Sequence, residues 1–168
     1  MIQDLTIVDV NSNIAEGRQN GYGIWVENPD TAARTITVDG CSISNYLKSG
    51  VVIARPGLNG VVSGNTLTGR GATDVINQFG IQYIYGSTGS ASGNEITAHI
   101  DTRSNLDPNY YVAGGVMIYG SDNVTVQDNE IYGNEVGVYV LEDTSFGYLG
   151  TDNAHITGNT LTDNAYGV

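Results

Sequence analysis

One arrangement recurs along this chain and leaves few folds open to it. It is an Asn, an apolar residue two positions later, and then a short run that opens on Gly. Aligned on the first residue, the columns read Cys41, Asn65, Asn94, Asn129, Asn159 and Ile43, Leu67, Ile96, Ile131, Leu161. The Gly-led runs begin at Gly23, Gly50, Gly80, Gly115, Gly137 and Gly167, which by subtraction lie 27, 30, 35, 22 and 30 residues apart. The clearest copy is Ser121–Val140, SDNVTVQDNEIYGNEVGVYV, where strand alternation puts Val124, Val126, Ile131, Val138 and Val140 on one face. Runs this short bury an apolar face only against their own next copy, so the repeat implies a solenoid.

Three short strands per period, stacked in parallel, make a right-handed parallel β-helix, with the hand set by the general bias of parallel crossovers. The expected fold is therefore all-β: a β-solenoid of about six coils with three short parallel sheets. Residues 1–168 form a single domain. Asn side chains stacked at one corner pass amide hydrogen bonds between coils, the Asn ladder, with Cys41 in the same column. The leading Gly of each third run permits a close approach or a positive φ.

The pattern VxVxxNxIxxN at 124–134, followed by a Gly-led run, resembles the right-handed β-helix repeat superfamily, which includes pectate lyase-like proteins and the mannuronan C5-epimerases. The resemblance spans essentially the whole chain and implies the fold. It implies no single activity, because the repeated residues are core and corner residues. The polygalacturonase-type set of paired Asp, Gly-His-Gly and Arg-Ile-Lys is absent. The epimerase signature Tyr-Gly-Phe-Asp-Pro-His is met only by Asp107-Pro108, followed by Asn109, so its role is not carried over.

The formal charge is −12, and the six basic side chains, Arg18, Arg34, Lys48, Arg55, Arg70 and Arg103, form no cluster in sequence. A nucleic-acid partner needs a positive face, so that class is set aside. No apolar run is long enough to span a bilayer. The acidic, Lys-poor composition suits an extracellular or cell-surface setting, with any leader peptide outside this chain. Cys41 is the one cysteine, which excludes an intramolecular disulfide and reads as a buried structural thiol.

Under the same alternation, the outward rows of the Gly-led strands read Trp25, Val52, Gln82, Met117, Tyr139 and Glu27, Ala54, Ile84, Tyr119, Leu141. An apolar and aromatic outer face needs an occupant. One reading is a polysaccharide platform on Trp25, Met117, Tyr119 and Tyr139, walled by the segments 13–22, 68–79, 98–114, 27–34 and 141–153. The other is a non-catalytic structural or adhesive module whose loops or partner copy cover that face, with lateral or end-to-end self-association. The chain starts and stops inside strand patterns, which fits a slice of a longer β-helix or uncapped ends.

If a reaction occurs, it is of the lyase, epimerase or hydrolase type, and Asp101, Arg103, Tyr110 and Glu142 are the candidate catalytic groups. His99, Asp107, Glu27 and Asp143 are further charged or titratable residues near the same face. No cofactor is required. Scattered Asp residues leave calcium open, without a nonapeptide or EF-hand spacing to support it. His99 and His155 lack a second ligand at a familiar spacing, so no metal site is expected. Outward pairs Ser42/Ser44, Thr66/Thr68 and Thr160/Thr162 resemble an ice-binding array, interrupted by Glu95, Glu130 and Tyr132.

Overall fold

In the computed structural model, residues 1–10, 19–103, 112–142 and 151–168 are described. Three parallel sheets wrap one apolar lumen. Sheet A stacks β1 (Ile2–Gln3), β4 (Arg34–Asp39), β7 (Leu58–Ser63), β10 (Thr88–Ser92), β13 (Val124–Gln127) and β16 (His155–Thr157). Sheet B stacks β2 (Thr6–Val8), β5 (Ser42–Ser44), β8 (Thr66–Thr73), β11 (Glu95–Asp101), β14 (Glu130–Tyr132) and β17 (Thr160–Thr162). Sheet C stacks β3 (Tyr22–Glu27), β6 (Ser49–Ala54), β9 (Phe79–Ile84), β12 (Gly114–Tyr119) and β15 (Val136–Leu141). Each strand pairs with its equivalent one coil on, so six coils rise as a right-handed β-helix. Among the described residues none is helical, so none forms a helix long and apolar enough to cross a membrane.

The register confirms the columns. Ile7, Ile43, Leu67, Ile96, Ile131 and Leu161 stack in sheet B, and Ile24, Val51, Ile81, Val116 and Val138 stack in sheet C. Most of these side chains are fully buried, and burial of this continuous apolar stripe is the main drive for stacking. Val140 continues the inner column of Ile53, Tyr83 and Ile118, yet is 37% exposed because β15 is the last strand of sheet C.

The Gly column is explained by close approach, not by positive φ. A Cβ on Gly23, Gly50, Gly80, Gly115 or Gly137 would lie 2.6–2.8 Å from the carbonyl oxygen of the next coil's glycine. Only a residue without Cβ lets the coils stack here at strand spacing.

The first corner, between sheets A and B, carries the Asn ladder. Asn129 accepts at Oδ1 from the backbone N–H of Asn94 at 2.9 Å and from its amide at 2.9 Å. Its own amide donates forward to Asn159 Oδ1 at 2.8 Å and back to the Ala91 carbonyl at 3.0 Å. Asn65 and Asn94 repeat this pattern, and the Cys41 backbone N–H ends the series on Asn65 Oδ1 at 2.9 Å. Cys41 is buried, and its Sγ donates to the Asp39 carbonyl at 3.4 Å. The ladder thus satisfies polar groups that a sharp bend withholds from both sheets.

Two of the walling segments begin as strand. β8 runs on to Thr73 and β11 to Asp101, so sheet B claims the first part of 68–79 and of 98–114.

Candidate functional groove

The second corner, between sheets B and C, leads into a groove on the outer face of sheet C and is built differently. Its column lies five residues after the first ladder: Tyr46, His99, Asn134 and Asn164. Asn134 donates from its amide to the Ile96 carbonyl and to Asn164 Oδ1, so its own Oδ1 faces His99. His99 Nδ1–H donates to that oxygen at 2.8 Å, which leaves Nε2 to accept from the Tyr46 hydroxyl. Burial pushes the His99 imidazole down to about 4, against a smaller upward pull from the Asn134 bond. His99 is therefore a neutral ladder member inside the corner and not a groove residue, which corrects the sequence expectation.

In the coil below, Gln78 stands in for the ladder amide. It donates to the carbonyls of Tyr46 and Leu47, both at 3.0 Å, and accepts from the Arg70 N–H at 3.0 Å. Glu135 does similar work one coil up from His99. Its Oε2 accepts from the backbone N–H groups of Asp101 at 3.3 Å and Ala113 at 2.9 Å, while its buried Oε1 has no hydrogen-bond partner among the described residues.

These devices deliver sheet C with its outer face flanked by side chains from several coils. The groove encloses about 400 Å³, within the range of small-ligand sites. Its described lining includes Trp25, Met117, Tyr119 and Tyr139, the four residues expected to form the platform. It also includes Tyr22, Phe79 and Tyr85, which sequence reasoning did not assign there. Tyr22 and Trp25 rings lie 4.6 Å apart and tilted, and Tyr85 meets Tyr119 edge-on at 5.7 Å. The centre of the outward rows is already covered. Val52 and Ala54 are fully buried and Ile84 nearly so, packed with Tyr22, Tyr85 and Tyr119. The open apolar surface is thus the aromatic rim, where Trp25 is 41% exposed.

The rim is held in place. Glu27 accepts from the Trp25 indole N–H at 3.3 Å and from Arg55 Nε at 2.8 Å, and the Arg55 guanidinium lies 5.5 Å from the Tyr85 ring centre. The hydrogen bond from Arg55, then that from Trp25, holds the Glu27 carboxyl below its usual range. At the other end Lys48 Nζ donates to the Asn77 carbonyl at 3.0 Å and lies 5.4 Å from the Phe79 ring centre. Among the described lining residues there is no Asp or Glu, and Lys48 is the charged one.

The catalytic candidates fare unevenly. Asp101 and Arg103 do come together, as an ion pair of 2.5 Å with Asp101 buried. The pair acts electrostatically on Lys48, so two basic residues distant in sequence share one locality. Glu142 is exposed and follows β15 at the opposite end of sheet C from Asp101. A six-residue strand separates the two levels, roughly 16 Å, beyond the 5–9 Å a glycosidase pair requires. Tyr110, Asp107 and Asp143 lie outside the described residues. Among the described residues no three His, Cys, Asp or Glu side chains gather as metal donors. His155 is exposed on β16 of sheet A, away from the groove.

The stacked register, the lumen and the corner ladders define a parallel β-helix protein. The family described as right handed beta helix region matches residues 22–168, and the chain belongs to that family. No curated protein and no solved structure matches the chain.

Proposed function

We propose that this protein binds a polysaccharide along the outer face of sheet C, outside the cell, with the sugar rings stacked on Trp25 and Tyr139. The observation that carries this reading is the groove itself. Tyr22, Trp25, Tyr85, Tyr119 and Tyr139 line one concave surface of about 400 Å³ without a single described carboxylate. Sugar rings present apolar C–H faces that suit aromatic planes, and the Trp25–Glu27–Arg55 contacts hold the platform in place before any ligand arrives. Binding is favoured over hydrolysis because Asp101 is committed to Arg103 and Glu142 lies a strand length away.

The chain contains one tryptophan, so intrinsic emission reports on the platform directly. Titration with pooled oligosaccharides is expected to shift Trp25 emission saturably. Trp25→Ala and Tyr139→Ala, followed by calorimetry, are expected to weaken binding about tenfold each without changing the mass seen by light scattering. If the variants change the mass and no glycan binds, the face is an assembly surface and the proposal fails. Proton NMR of the incubated polysaccharides would reveal new reducing ends, unsaturated uronates or epimerised residues if the site also modifies what it binds.

A further inference from the structure

Lys48 is 8% exposed and lines the aromatic groove. Its ammonium carries three N–H donors. Asn77 accepts from it at the backbone oxygen at 3.0 Å and at Oδ1 at 3.4 Å, and the face of Phe79 lies below. These are dipoles and a ring quadrupole, not a counter-ion. Among the described residues no carboxylate lies within ion-pair distance of it, although the chain holds 18 acidic side chains against six basic ones. Asp101, whose charge reaches Lys48, is already engaged by Arg103 through Nε at 3.0 Å and Nη2 at 2.5 Å. Arg103 in turn repels Lys48.

A buried lysine in a folded protein is ordinarily paired, because an unpaired ammonium loses its hydration without replacement. Burial, with Arg103 adding to it and Asp101 opposing it, pushes the Lys48 amine down to about 8. The acidic surface makes the omission sharper. Carboxylates are abundant on this molecule, yet none lines the groove among its described residues. A ligand that brought its own negative group would complete the site.

We propose that Lys48 is the anion-recognition residue of the groove, so that the saccharide it takes carries a carboxylate or sulfate that meets the Lys48 ammonium. The inference rests on the groove being a saccharide site. It adds the ligand's charge and the residue that reads it.

The test uses three hexasaccharides of one backbone: a uronic acid, its carboxyl-reduced neutral counterpart, and an O-sulfated form of that neutral chain. Calorimetry with the unaltered protein is expected to show at least one acidic form bound about tenfold or more tighter than the neutral one. The two acidic arms tell carboxylate from sulfate. In Lys48→Met that ratio is expected to collapse to within about twofold. Equal or tighter binding of the neutral chain overturns the inference while leaving the groove reading standing. A ratio that survives in Lys48→Met overturns the assignment to Lys48. Silence of all three ligands overturns the groove reading and this inference with it. Should Lys48→Met not fold, the comparison of ligands on the unaltered protein decides.

Discussion

The two corners that flank sheet B solve the same problem in different ways. At the first, Asn65, Asn94, Asn129 and Asn159 occupy equivalent places, with Cys41 closing the column. At the second, the equivalent places hold Tyr46, His99, Asn134 and Asn164, and Gln78 enters from an insertion to serve the coil between. The uniform corner keeps the coils in register, with Asn65, Asn94 and Asn129 buried and bonded to one another. The irregular corner spends its exceptions on shaping sheet C's entrance, where Lys48, Phe79 and the Asp101–Arg103 pair stand. A solenoid tolerates such exceptions because each coil's stability depends on its neighbours alone, so one corner can vary while the other holds the stack.

The largest effect is expected at the uniform corner. Asn129→Ala removes the acceptor of the Asn94 N–H and the donor to the Ala91 carbonyl, both buried. The cost is on the order of 4 kcal/mol, read as a lowered midpoint in urea unfolding. A loss no greater than that of an exposed substitution would remove the ladder from the account of stability.

A second break concerns His99, which one corner has and the other lacks. Its folded-state value of about 4 lies below the ordinary value of 6.5, so the unfolded chain binds the proton first. Stability therefore falls as pH drops from about 6.5 to 4, by about 3 kcal/mol at the lower limit. His99→Asn restores the residue type found at Asn134 and Asn164 and is expected to abolish that portion of the acid sensitivity. Parallel denaturation curves at pH 7 and pH 4 for the two proteins isolate it from the carboxylates, which titrate in both.

The smallest effect sharpens the comparison. Cys41→Asn matches the rest of its column, and Cys41 contributes one weak Sγ hydrogen bond to the Asp39 carbonyl. The change in stability is expected to stay below about 1 kcal/mol by urea titration. A large loss would mean that the thiol's volume, not the ladder position, governs that coil.

The Asn and Ile columns and the Gly-led runs were legible because they recur at a period, and a period in sequence becomes a stack in space. The second Asn position lies in the spacing Asn129–Asn134 and Asn159–Asn164, but the sequence reading set His99, five residues after Asn94, beside the groove instead of in that column. The outward placement of Trp25, Met117, Tyr119 and Tyr139 followed from simple alternation, and all four line the groove. Lys48 carried no such signal. It precedes one Gly-led run only, and its partner Asn77 comes from the next coil, 29 residues on.

By itself the sequence determined the repeat, the lumen, one ladder and the direction in which residues of the repeated strand columns point, because alternation and period are local rules that a parallel stack copies upward unchanged. Only the tertiary structure decided which outward residues stay open. Val52 and Ala54 share the outward rows with Trp25 and Glu27, yet are fully buried, since Tyr22, Tyr85 and Tyr119 arrive from other coils and corners to cover them. The same holds for charge. Asp101 pairs with Arg103 within electrostatic reach of Lys48 through the stacking of inserted corners, and Glu142 is kept apart by the length of one strand, distances that no period in the chain encodes.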